Sequence, residues 1–307
     1  MQMLNKCQAI PKLLIILLIS FLCACTYLDT LKSPFFSKSS PQSNKLTYTL
    51  SGKTIYADAQ LAAVVYETDD KIRDFCVQNG YENLAIGMLK QLKVKYFTIN
   101  ANDAQYIVIR GTSNFANVKS DILASPVFDA LSHIWLHKGF RDAALGILHK
   151  LENAYPKIQP DKQTIIVGHS LGGAIANVLG IYLDQNNFCL DRIITFGQPK
   201  ITNKKGLAAY SHLPLFRVVG AGDVITCVPP KTRMFTFVHG GLKIKVDDSH
   251  ISYTHFGDAA NAIEDDPVSI HMDLDRISHA VSHKISNYIK RLKPHKDVLI
   301  KIEKGSK

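Results

Sequence analysis

Apolar positions along the chain follow two periods that alternate. Thr164 to Val167 is an unbroken run of β-branched residues, the pattern of a strand buried on both faces. Directly beyond it, Leu171, Ile175, Val178, Leu179 and Leu183 recur at helical spacing. The same reading gives a helix over 57–78, with Leu61, Val64, Val65, Ile72 and Phe75 on its apolar face and Gly80 to end it. Strands over 92–99 and 105–109 are joined by the turn-forming run Asn100 to Asp103. Phe115, Val118 and Ile122 predict a short amphipathic helix within 113–123, and a further helix spans 141–151. Strands follow at 192–196, 215–219, 235–238 and 242–246, and a final helix at 282–292. Strands that alternate with helices imply an α/β fold with a mostly parallel sheet.

The junction at Gly168-His169-Ser170-Leu171-Gly172 fits G-x-S-x-G and sits where a strand turns into a helix. That context forces the serine into a sharp turn and exposes its hydroxyl near a helix N-terminus, where developing negative charge is favoured. Glycines on either side keep atoms away from the strand–helix crossing. A second stretch, Arg110-Gly111-Thr112, follows the strand at 105–109. Acyl transfer needs two donors aimed at the oxyanion, one after the nucleophile and one from an earlier strand's loop. Leu171 and Thr112 stand at those places. Asp223 follows Gly220-Ala221-Gly222 just past the strand at 215–219, where binding residues of open α/β sheets gather. Ser170 then Asp223 agrees with the chain order serine, acid, histidine. Seven histidines follow Asp223. The base is one of these seven, and most of the others are ordinary surface or packing histidines.

The chain has 307 residues, 46% of them hydrophobic, and a net charge of +10. This is enough for one large α/β domain with a substantial core, or for two small domains. No nucleic-acid motif accompanies the positive charge, so an anionic lipid surface is the better partner. Lys6 and Lys12 precede an apolar run of ten, Leu13 to Leu22, which is short for a membrane span and reads as a targeting leader. Leu22-Cys23-Ala24-Cys25 resembles the lipobox of bacterial lipoproteins, with Cys25 as the lipidated residue. Residues 26–45 are rich in Ser, Pro and Lys and read as a tether. Beyond Cys25 remain Cys76, Cys189 and Cys227, an odd set that allows at most one internal disulfide. No metal or other cofactor is implied.

Five segments in order resemble the class 3 lipase family, the fungal-type lipases of the α/β-hydrolase superfamily. They are Val108–Thr112, His137–Phe140, Val167–Gly173, Thr195-Phe196-Gly197-Gln198-Pro199, and Phe216–Val224 with Val228-Pro229-Pro230. The resemblance covers about residues 55–292. It implies Ser170 as nucleophile, Asp223 as acid, Thr112 and Leu171 as the oxyanion hole, and Phe115, Val118 and Ile122 on a lid. Members often carry a Trp on the lid, where Val118 stands here. Many bacterial members place the base in H-S-x-x-x-Y on a last helix, which His283 and Tyr288 match with Lys284 for Ser; His279 and His271 are the rivals. The expected organisation is a leader over 1–24, a lipidated N-terminus and tether over 25–45, a class 3 lipase-like domain over 46–293 and a basic tail over 294–307. The expected activity is a lipase- or phospholipase-type serine ester hydrolase with a lipid ester as substrate. The expected location is the bacterial cell envelope, held at a membrane through Cys25, with secretion as the alternative. Two other readings stay open: a non-catalytic surface lipoprotein that binds lipid or a partner, and an esterase on small soluble esters.

Overall fold

A computed structural model describes residues 47–111, 126–154, 156–256 and 281–303. Cys25, Thr112, Phe115, Val118, Ile122, His271 and His279 lie outside the described residues.

Strand β1 (Thr47–Ser51) runs into helix α1 (Gly52–Val64), whose first turn is capped by the Ser51 hydroxyl accepting from Thr54 N–H at 3.0 Å. A second helix, α2 (Asp69–Gln78), follows. The single helix expected over 57–78 is thus two. Thr68 accepts from Lys71 N–H, and Asp69 and Asp70 occupy the first turn of α2. A cap followed by acids starts a new helix, and this local signal outweighs the continuing apolar period. Strand β2 (Glu82–Leu89), unexpected from the pattern, leads to the hairpin β3 (Val94–Ala101) and β4 (Ala104–Ile109), whose turn uses Asn102 at φ 51°. A second unexpected hairpin pairs β5 (Pro126–Asp129) with β6 (Ile134–His137). Helix α3 (Lys138–Glu152), strand β7 (Gln163–His169) and helix α4 (Leu171–Gln185) come next. Then follow β8 (Leu190–Phe196), α5 (Lys204–Ala209), β9 (Leu215–Gly220), β10 (Gly241–Val246) and β11 (Ile251–Phe256). A 3-10 turn, Val281–His283, precedes α6 (Ile285–Leu292) and β12 (Leu299–Glu303).

The main sheet has eight strands in the order β11-β10-β9-β8-β7-β4-β3-β2. Its centre, β4 to β10, is parallel, and antiparallel pairs close both ends. The strand expected at 242–246 extends this sheet as β10. Phe235 to Val238 is not a strand; Val238 makes only an isolated bridge to Thr202. Alternation along the strands divides the core. Ile107, Ile109, Ile166 and Ile193 pack under α3 and α4, while Val108, Ile165, Val167, Ile194 and Val218 pack under α1, α2 and α6. This is an α/β-hydrolase fold: a mostly parallel sheet with helices on both faces. Helix α4 is apolar all round and buried from Leu171 to Leu183, as expected for a helix at the centre of a layer. Part of the stretch read as a basic tail is a strand: β12 pairs antiparallel with β1, and Ile300 is buried there.

Candidate active site

Ser170 stands between β7 and α4 with φ 59° and ψ −132°. An L-residue avoids this region unless the surroundings enforce it. Two close approaches do so. A Cβ on Gly168 would lie 2.3 Å from the carbonyl oxygen of Gly172, and one on Gly172 would lie 2.3 Å from that of Ile109. The strand, the helix and the end of β4 therefore meet at backbone distance. Ser170 N–H donates to the carbonyl of Phe196 at 2.8 Å. Its Oγ is buried and has no hydrogen-bond partner among the described residues. Leu171 is the first residue of α4, where N–H groups lack an intrahelical partner.

Asp223 lies past the end of β9, in a turn that uses Gly222 at φ 77°. One carboxylate oxygen, Oδ1, accepts from Ile225 N–H at 2.9 Å. The other, Oδ2, accepts from His283 Nδ1–H at 2.7 Å and from the Tyr288 hydroxyl. Both side chains of the Asp223–His283 pair are fully buried. Burial pushes the Asp223 carboxyl up, but the charge of His283 and the hydrogen bonds from His283, Tyr288 and Ile225 outweigh it and hold the group below its ordinary value. Burial, then the Asp223 charge, pushes the Tyr288 hydroxyl well up. Asp223 is thus a carboxylate, Nδ1 of His283 carries the proton, and Nε2 is the nitrogen left to accept another. His283 is the last residue of the 3-10 turn before α6, and Tyr288 one turn into that helix braces the acid.

Gly197 joins the serine to this pair. It follows Phe196, whose carbonyl holds Ser170, and adopts φ 59°. A Cβ there would lie 2.6 Å from Asp223 Oδ2 and 2.7 Å from the His283 ring. The glycine of Thr195-Phe-Gly-Gln-Pro199 leaves the room in which Asp223 and His283 sit.

A second set of contacts was not foreseen. His169, the variable position of G-x-S-x-G, is buried. Its Nε2 lies 2.8 Å from the carbonyl oxygen of His283. A carbonyl only accepts, so Nε2 carries the proton and Nδ1 accepts from the Tyr66 hydroxyl at 2.9 Å. The Tyr66 oxygen accepts in turn from Gly111 N–H at 3.1 Å. Burial above all, with the neighbouring His283, lowers His169 to about 3, so the ring is neutral. These bonds tie the residue before Thr112 to the backbone of His283. Nothing in the pattern around Tyr66 marked it, and only tertiary packing brings it here.

Residues 106–233 match the family described as lipase (class 3). Through this segment the chain is similar to the class 3 lipases. It is 30% identical over 155 residues to a lipase of Rhizomucor miehei, covering 47% of this chain and 42% of that protein. It is 31% identical over 131 residues to a triacylglycerol lipase of Ricinus communis, covering 39% of this chain and 24% of that one. The matched part thus spans less than half the length of these two relatives. Among solved structures, lipase II from Rhizopus niveus superposes with a TM-score of 0.56 at 19% identity, over 78% of this chain and 96% of that one. A Rhizomucor miehei triacylglyceride lipase gives 0.54 at 20% identity, over 75% and 96%. The similarity to these structures extends the α/β-hydrolase fold well beyond the matched segment.

Proposed function

We propose that this chain is a class 3 lipase-type serine ester hydrolase acting on acyl esters of lipids. The observation that carries it is Ser170 at φ 59° on the strand–helix turn, beside a buried His283–Asp223 pair at 2.7 Å. Ser170 Oγ attacks the ester carbonyl carbon and passes its proton to His283 Nε2. Asp223 keeps the proton on Nδ1 and stabilises the imidazolium. The tetrahedral oxyanion rests on the N–H groups of Leu171 and Thr112, with Gly111 held beside them by Tyr66. Collapse breaks the ester C–O bond, and the leaving alkoxide takes the proton from His283. A water, deprotonated by the same histidine, then cleaves the acyl-enzyme and restores Ser170. The names of the relatives support acylglycerols as substrates, and Phe115, Val118 and Ile122 are assigned to a lid over the site.

The chain is further assigned to the bacterial cell envelope, anchored by acylation of Cys25. The lipobox-like Leu22 to Cys25 supports this. Turnover of a short p-nitrophenyl ester, with folding followed by circular dichroism, tests the hydrolase. Ser170→Ala is expected to stay folded and to lose roughly 10⁴-fold or more in kcat. Equal turnover by folded wild type and variant would overturn the assignment. Lipid analysis of membranes treated with each chain then names the substrate class.

A further inference from the structure

The hairpin β5–β6 carries side chains that a folded domain has no use for on its own surface. Phe128 and Trp135 face each other across it, with ring centroids 5.8 Å apart, and are 49% and 43% exposed. The rings continue into the segment after β9: Trp135 to Phe235 is 6.1 Å and Phe235 to Phe237 is 4.6 Å. Met234 projects beside them, 96% exposed. The backing is firm. Thr202 bridges Leu136 and Val238, its hydroxyl donates to the Trp135 carbonyl at 2.6 Å, and Ile134, Leu136, Phe237 and Val238 are buried underneath. Four apolar or aromatic side chains thus form a ledge on the surface, and a contiguous patch of this kind marks a binding face.

The charge around the ledge selects the partner. In segments 126–137 and 231–238 the exposed fixed charges are Lys231 and Arg233, while Asp129 is buried. Exposed Lys204 and Lys205 begin α5, two residues past Thr202. Indole and phenyl rings settle at the level of lipid headgroups, and basic side chains at the same height are drawn to anionic lipid. We propose that this basic-rimmed ledge of Phe128, Trp135, Met234 and Phe235 docks the domain onto an anionic bilayer surface. The segment Gly197 to Thr202 connects the site to the ledge along the chain. The proposal does not depend on ester hydrolysis.

Trp135 is the sole tryptophan of the chain, so its fluorescence reports on the ledge alone. Because residues 13–22 or an acylated Cys25 would bring the chain to any bilayer, binding itself is not the readout. The full chain, as Ser170→Ala to keep the lipid intact, is mixed with vesicles of brominated phosphatidylcholine with or without phosphatidylglycerol. With phosphatidylglycerol, Trp135 emission is expected to shift to the blue and to be quenched. The double variant Lys231→Gln/Arg233→Gln should weaken the phosphatidylglycerol-dependent response by about 25-fold in lipid concentration, since each basic residue at an anionic surface is worth about fivefold in partitioning. The control pair Lys90→Gln/Lys93→Gln, exposed on another part of the domain, should leave it intact. Unshifted, unquenched Trp135 on vesicle-bound chain would overturn the proposal and point to a protein partner for the ledge. So would equal quenching in pure phosphatidylcholine, or equal loss with the control pair.

Discussion

Two histidines at the site stand in contrasting settings. His283 faces a carboxylate, whereas His169 sits between a carbonyl and a tyrosine hydroxyl, with no acid bonded to it. His169 gives the fold a pH dependence of its own. In the unfolded chain a histidine binds its proton near pH 6.5; in the native fold His169 does so only at about 3. Between these values the unfolded chain holds the extra proton, so acidification favours unfolding, by at most about 1.4 kcal/mol per pH unit from this residue. Above the upper value it contributes no slope. Urea denaturation across about pH 4 to 6 should therefore show a shallower pH dependence for His169→Gln than for wild type. Asp223, held below its ordinary value, acts in a lower window: its contribution is complete above about pH 4 and is lost as its native-state carboxyl titrates. The base itself is tested by substitution. His283→Ala should lose about as much kcat as Ser170→Ala, while His271→Ala and His279→Ala should stay within about tenfold of wild type. Activity in His283→Ala with a dead His271→Ala or His279→Ala would move the base and leave the hydrolase assignment standing.

At the scale of elements, the strand–turn–helix of β7 and α4 is the part on which the rest closes. Its buried helix and its glycines were readable as local pattern, because T-I-I-V and the helical period both reflect burial. The reason for each glycine was not readable. Gly172 lies against the backbone of Ile109 to Gly111, at 2.3 to 2.7 Å from an added Cβ, whereas Gly173 meets its neighbours at 3.2 to 3.3 Å. Gly172→Ala should therefore cost roughly 2 kcal/mol or more and lower Tm by roughly 5 °C or more, with activity lost as β4 is pushed from α4. Gly173→Ala should be tolerated with a smaller change in Tm. Thermal unfolding of the two variants side by side checks this, and an equal effect would remove the special role given to Gly172. The break between α1 and α2 and the hairpin β5–β6 escaped the pattern for a common reason. Short elements are decided by a cap or by a partner strand, and neither alters hydrophobic period.

For the whole molecule, β1 and β12 join the two ends of the described chain. Radiolabelled palmitate is expected to enter wild type and not Cys25→Ser; equal labelling of both would place the anchor elsewhere. Docking by the ledge and anchoring at Cys25 concern different parts of the chain, so loss of one in a variant should leave the other measurable.

The amino-acid sequence by itself determined the α/β alternation, the sharp strand–helix turn at Ser170 and the place of Asp223 after a strand. These are local: each depends on neighbours within a few residues, where apolar period, turn residues and glycine spacing act directly. It also narrowed the base to three histidines. Tertiary structure alone decided what surrounds them. It brought His283 to Asp223 across 60 positions, put Tyr288 on the same carboxylate, and tied Gly111 through Tyr66 and His169 to the backbone of His283. Such contacts join residues far apart in the chain, and no periodicity along one segment records which distant segment will pack against it.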